Sequence, residues 1–260
     1  MSETKHLENF YKNIDEENRF QRSKAHTIEF ITTTKYIEKY LKPGDRILEV
    51  GAATGAYSLH YASKGFQVDA IELVEHNIEI FKKKIEDKMN INVTQGNALD
   101  LSIYEDNTFD VTLVLGPLYH LYTEEDNKKA ISEAIRVTKK SGYIFIAYLT
   151  HGSIMLNYGL RKGNLLDIPR ICDEEYRFKS IPEEIFTGFY VDEFEKLMEK
   201  FNHEYIGNIA TNGISLSFRE TVDELSEEEF NIWLDYHLKT CERKDIQGYS
   251  SHMLYIAKKA

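Results

Sequence analysis

Apolar positions follow two rhythms along the chain. Short, nearly continuous apolar runs at residues 46–50, 67–72, 91–94, 109–115 and 143–149 read as strands. Phe109–Leu115 is apolar at most positions, the pattern of a strand buried on both faces. Between these runs the apolar spacing widens to three and four. Ala56–Ala62 reads as a helix, and so does Glu75–Lys88, with Ile78, Phe81 and Ile85 on one stripe. Thr123, with Asp126 three residues on, reads as a helix N-cap. The helix it opens aligns Ala130, Ile131, Ala134, Ile135 and Thr138. Upstream, residues 25–41 read as a helix with Phe30, Ile37, Tyr40 and Leu41 near one face, stopped by Lys42-Pro43-Gly44-Asp45. Ser141-Gly142 turns the chain before the strand at 143–149. Strands and helices alternating in this way predict right-handed βαβ units and a parallel sheet.

The rhythm fails after Thr150. Residues 151–190 hold four glycines, two prolines and many aromatics, and read as an irregular cover. Beyond them come a helix at Val191–Lys200, strands at His203–Ala210 and Ser215–Glu220, a helix at Glu224–Thr240 and a last strand at His252–Ala257. Residues 7–24 are charged, aromatic and weakly patterned, and read as helical. The expected organisation is an N-terminal helical lid (1–41), a ligand-binding core (42–150), a cover that also supplies part of the sheet edge (151–220), and a C-terminal helix and strand that complete the core (221–260).

Composition narrows the function. With 260 residues, 42% of them apolar, the chain has enough apolar surface for one sizeable α/β domain. Its 43 acidic and 32 basic residues give a net charge of −11, which argues against a phosphate-backbone binder, and no basic block stands out. Nucleic acid is therefore not expected as a partner. Cys172 and Cys241 have neither metal-ligand spacing nor a disulfide framework, and no metal is expected. The polar start Met-Ser-Glu-Thr-Lys-His and the lack of any run of about 18 apolar residues predict a cytoplasmic protein without a membrane span.

The chemistry concentrates at the carboxyl ends of the first four strands. Residues 47–55, Ile-Leu-Glu-Val-Gly-Ala-Ala-Thr-Gly, form a strand ending in an acid and then a loop of small residues before a helix. Such a loop lets backbone N–H groups approach a ligand closely. Glu49 would repel a pyrophosphate and attract an ammonium or a sulfonium. Glu72 ends the second strand, 21 residues after Gly51, where a carboxylate can accept from two ribose hydroxyls; a helix-capping glutamate is the competing reading. Asn97 and Ala98 follow the third strand, with an Asx turn as the alternative for Asn97. Leu115-Gly116-Pro117-Leu118-Tyr119-His120-Leu121 follows the fourth. His120 has the neutral-range pKa of a general base, against the alternative of a loop histidine bonded to backbone. Tyr119 is a pocket-lining residue that can orient an acceptor. Tyr11, Arg19 and Arg22 could fold over a bound cofactor, an arginine pairing with its carboxylate. His26, Glu29 and Thr33 share a helix face.

Glu49-Val-Gly-Ala-Ala-Thr-Gly55 resembles the first motif of the class I S-adenosylmethionine-dependent methyltransferases, an acid followed by Gly-x-Gly-x-Gly. Gly51 and Gly55 are kept and Ala53 replaces the middle glycine. The Gly-Pro-Leu-Tyr-His-Leu loop is similar to that of a small-molecule subgroup; the Asn-Pro-Pro-Tyr loop of N-methyltransferases is missing. The resemblance covers about residues 40–150 well. It implies a Rossmann-like, doubly wound, mostly parallel seven-stranded sheet with an antiparallel C-terminal strand, into which Met253–Ala257 fits, and a helical cover. It implies S-adenosyl-L-methionine as cofactor, held by Tyr11, Arg19, Glu49, Gly51, Ala53, Gly55, Glu72, Asn97, Ala98 and Leu115. Tyr119 and His120 would serve a small-molecule acceptor with an O, N or S nucleophile. A monomer or homodimer is expected. The rival readings are an NAD(P)-dependent oxidoreductase, through Gly51-x-Ala53-x-x-Ala56, and an S-adenosylmethionine-binding protein without activity.

Overall fold

A computed structural model describes residues 3–260, so Met1 and Ser2 of the expected 1–41 segment lie outside the described residues. Seven strands form one sheet: β1 (Arg46–Val50), β2 (Gln67–Glu72), β3 (Ile91–Gln95), β4 (Phe109–Val114), β5 (Thr138–Leu149), β6 (His203–Ala210) and β7 (His252–Lys259). Their order across the sheet is β3-β2-β1-β4-β5-β7-β6. β1 to β5 run parallel, and β7 inserts antiparallel between β5 and β6. The sheet is the expected mostly parallel one with an antiparallel C-terminal strand.

Side-chain alternation along β1 explains the packing. Ile47 points into the larger core with Val111, Leu113 and Phe145, whereas Leu48 and Val50 point into a second core with Ile71, Leu101 and Phe109. Both faces are covered, so the strands read as apolar runs. The covering helices are α1 (Glu3–Lys12), α2 (Lys24–Glu38), α3 (Ala56–Ser63), α4 (Glu75–Lys83) and α5 (Glu124–Val137). Thr123 caps α5 as expected, its Oγ1 accepting the Asp126 N–H at 3.1 Å.

The main departures from expectation are these. Residues 7–24 are not one helix: α1 ends at Lys12 and turns fill the interval before α2. α4 stops at Lys83, and Ile85, in irregular chain beyond it, still packs against Phe81 and Ala70. β5 begins at Thr138, passing Ser141 at φ +62° through a register shift against β4. Ser215–Glu220 is not a strand. It is a turn leading into a helix at Arg219–Glu224, with the Ser215 hydroxyl accepting from Trp233 Nε1 at 3.0 Å. Among the described residues no helix is long and apolar enough to cross a membrane.

Candidate functional site

The carboxyl ends of β1 to β4 converge on a cavity walled by Gly51, Ala53, Glu72, Asn97, Leu115 and His120, with Tyr11 of α1 above it. Ligands bind at this place in open parallel sheets. β1 must turn sharply there. Gly51 has φ +75°, and a Cβ on it would lie 2.6 Å from Pro117 Cδ; Gly55 has φ +85°, and a Cβ would lie 2.3 Å from the Phe81 ring. Only glycine fits either position. Ala53, between them, adopts φ +46°, a left-handed conformation that strains an L residue by roughly 1–2 kcal/mol.

Glu72 closes β2 and braces that turn. One carboxylate oxygen accepts the Ala53 N–H at 2.8 Å; the other accepts the Val74 N–H at 2.8 Å and Asn77 Nδ2 at 3.3 Å. Burial raises its pKa, and these donors work against the rise. Asn97 and Ala98 lie on the same wall. Asn97 Oδ1 accepts the Leu99 N–H at 3.0 Å, so the Asx turn exists and occupies one of its acceptor positions.

Glu49 sits beside this cavity, in a small recess it shares with Gly51, Ala53, Leu115 and Arg19. Strand alternation points it the same way as Ile47, beneath α3, where the Ser58 hydroxyl donates to its carboxyl. It is 2% exposed. Burial pushes its pKa up to about 8, so the group is mostly neutral at pH 7.

His120 and Tyr119 follow β4 in a short 3₁₀ turn, Pro117–Tyr119. His120 Nδ1 lies 2.8 Å from the Ile185 carbonyl, which can only accept, so Nδ1 carries the proton. Nε2 therefore accepts from the Tyr11 hydroxyl at 2.9 Å. Burial lowers the His120 pKa to about 4, with Arg19 pushing the same way. Ile185 is at φ +64°, and the Phe186 N–H bonds back to the Glu184 carbonyl at 2.7 Å, a strained γ-turn around a β-branched residue. Its carbonyl also accepts from the Tyr122 hydroxyl at 2.8 Å. No sequence signal marks a main-chain oxygen of this kind.

Arg19 is placed at the site but already has an acidic partner. Its Nη2 lies 2.6 Å from Glu29 Oε1 and 3.1 Å from His252 Nε2, while Nη1 is 3.6 Å from Glu16. Burial and the Arg19 charge hold His252 well below the usual histidine range. Its ring lies 5.6 Å from that of the buried Tyr119. Sequence reasoning missed His252 and Glu16, whose only signals were a strand start and one acid among many. Among the described residues no group of three or more His, Cys, Asp or Glu side chains is placed to hold a metal ion.

A second cavity of about 540 Å³ lies between α1, α2 and a π-helix at Ile154–Arg161. It shares Tyr11, Glu16, Arg19 and Tyr119 with the first, so these residues stand between two compartments.

Residues 48–146 match the methyltransferase domain family. A demethylmenaquinone methyltransferase from Renibacterium salmoninarum is 36% identical over 110 residues, 42% of this chain and 43% of that protein. A ribosomal RNA small subunit methyltransferase A from Pseudomonas fluorescens is 40% identical over 58 residues, 22% of this chain and 21% of that protein. The chain thus spans less than half the length of these curated relatives. A crystal structure of a SAM-dependent methyltransferase from Methanosarcina mazei superposes with a TM-score of 0.57 at 20% identity, covering 86% of this chain and 96% of that one, a likeness of fold.

Proposed function

We propose, from the premise that the chain carries a class I S-adenosylmethionine-dependent methyltransferase domain over residues 48–146, that it moves a methyl group to a small-molecule acceptor by in-line displacement. The observation that carries this reading is the pair of cavities meeting at Tyr11, Arg19 and Tyr119, one at the glycine turn and one under the cover. S-adenosylmethionine, the cofactor of this domain class, supplies a methyl already activated on a sulfonium. What is left to the protein is positioning and exclusion of water.

The donor set fits that cofactor. Glu72 Oε2 keeps one acceptor position for a ribose hydroxyl beyond its bond from Ala53, whereas Oε1 is taken by Val74 and Asn77. Glu49 presents an acid beside the glycine turn, suited to an ammonium. Asn97, Ala98 and Leu115 offer one polar and two apolar contacts on the wall where an adenine would lie. Gly51 and Gly55 keep the turn narrow. Arg19 is fixed by Glu29 and would meet a carboxylate only by sharing that pair.

The segment before residue 42 acts as a lid in this reading, and residues 151–220 as a cover. The cavity at the glycine turn is about 150 Å³, below the roughly 300–1,000 Å³ of small-molecule sites. A nucleoside enters only if α1 lifts, breaking the Tyr11–His120 bond and the Phe10–Phe186 ring contact at 5.3 Å. Glu49, mostly protonated, does not exert the expected repulsion on a pyrophosphate; what it favours is a ligand ammonium, beside which it can ionise.

Isothermal titration of S-adenosylhomocysteine and of NADH, followed by methyl transfer to a panel of phenols, amines and thiols, tests the proposal. Binding of S-adenosylhomocysteine alone, with transfer to at least one acceptor, is expected. NADH binding in its place would overturn the cofactor. Binding without transfer to any of them would leave a cofactor-binding protein.

A further inference from the structure

We propose that the second cavity selects acceptors with an anionic oxyacid head, carboxylate or phosphate, on an apolar body. This deepens the function proposed above and rests on it. The chain as a whole carries −11, yet Arg22, Arg161 and Arg219 border this one cavity, with Lys162 beside them. Their charge is poorly answered. Arg161 Nη1 and Arg219 Nη2 share a single carboxylate oxygen of Glu220, at 2.9 and 3.3 Å, and Glu220 is 61% exposed. Arg22 makes no ion pair among the described residues. The acids on the cavity wall are committed elsewhere: Glu16 and Glu29 to Arg19, Glu184 to Arg170.

An unmet hydrogen bond points the same way: Arg161 Nε, a donor on the π-helix, is shut off from solvent and has no partner. A buried donor without an acceptor costs roughly 1–3 kcal/mol, which a bound oxyanion would recover in the fork geometry that guanidinium favours. π-helical turns are rare and cluster at functional sites. The lining also includes the apolar side chains of Phe10, Leu149, Ile154 and Phe186. The positive field also reaches His26, where burial first, and then Arg22 and Arg219, hold the ring neutral.

The test compares three ligands built on one 2-naphthyl body by isothermal titration: 2-naphthoate, 2-naphthyl phosphate and the neutral 2-naphthamide. At least one of the two anions is expected to bind about tenfold or more tighter than the amide, as charge-assisted bonds require. Which anion does so tells carboxylate from phosphate. In Arg22→Gln/Arg219→Gln, and separately in Arg161→Gln, the advantage should shrink to about twofold or less. Circular dichroism establishes that each variant folds. Equal affinities in the wild type, an advantage that survives both variants, or no binding of any of the three overturns the proposal. S-adenosylhomocysteine is titrated into the same wild-type preparation. If it binds without any anion preference, only this inference falls; if it does not bind, the cofactor reading falls instead.

Discussion

Glu49 turns the electrostatics of the glycine turn into a measurable proton count. Burial holds its carboxyl at about 8 in the free protein, so about nine molecules in ten carry that proton at pH 7. A ligand ammonium about 4 Å away contributes about 4 kcal/mol at an effective dielectric constant of about 20. Moving the pKa from about 8 to below about 6 takes only about 2.7 kcal/mol. The attraction is the larger quantity, so binding ionises Glu49. About 0.9 proton should leave per S-adenosylhomocysteine bound at pH 7. Calorimetry in phosphate and in Tris gives this number from the difference in apparent enthalpy. In Glu49→Gln it should fall to near zero. Wild type releasing no proton, or the variant releasing as many, would refute the argument. Stability carries the same signature with a fixed sign. The folded pKa lies above the ordinary 4.5, so this group's contribution is intact below pH 4.5 and is lost as pH rises through about 8. Glu49→Gln removes that slope.

Glu72→Ala should weaken S-adenosylhomocysteine binding by about 1–3 kcal/mol, the range for a lost charged hydrogen bond; unchanged affinity by calorimetry would end the ribose assignment. The same variant should melt earlier, because the Ala53 and Val74 N–H groups lose their acceptor. Ala53→Gly should raise the urea midpoint by the equivalent of about 0.5–1 kcal/mol, left-handed strain relieved minus the chain entropy glycine adds. A lower midpoint would mean the turn is not strained. Tyr11→Phe removes the hydroxyl that holds α1 to His120, and stopped-flow binding of S-adenosylhomocysteine should speed up severalfold. An unchanged rate would argue that α1 does not gate the cavity.

The parallel half of the sheet was legible because β1, β4 and β5 are buried on both faces, and double burial writes itself as an apolar run. The glycine turn was legible because it is local, with a steric reason for glycine at Gly51 and Gly55. Ser215–Glu220 failed for a physical reason. Its alternation of Ser, Leu, Ser and Phe mimics a strand, but β6 is already the sheet edge, and the segment instead takes the Trp233 indole N–H on Ser215. The Arg19–Glu29–His252 cluster was beyond sequence reasoning because it joins positions up to 233 residues apart, through burial that no spacing announces. Glu49 was seen as an acid at the turn, but its neutrality comes from the packing of α3 above it and had no signature in the chain.

His120 shows how far the geometry constrains the chemistry. The Ile185 carbonyl fixes its tautomer, so Nε2 is the one lone pair the ring can offer. Tyr11 occupies that lone pair in the same contact that shuts the cavity. Closure of α1 in this pose and proton uptake by His120 therefore exclude one another. With a pKa near 4, the ring also draws protons weakly compared with an exposed histidine. An acceptor that reaches the methyl as an anion or a neutral amine needs no base at the moment of transfer, and a closed α1 does not hinder it. A phenol or thiol that must lose its proton in the site needs α1 displaced first. On the proposed function, the Tyr11–His120 bond would favour nucleophiles that arrive ready to react, and the arginine-lined cavity behind Tyr119 is where their other end would be held.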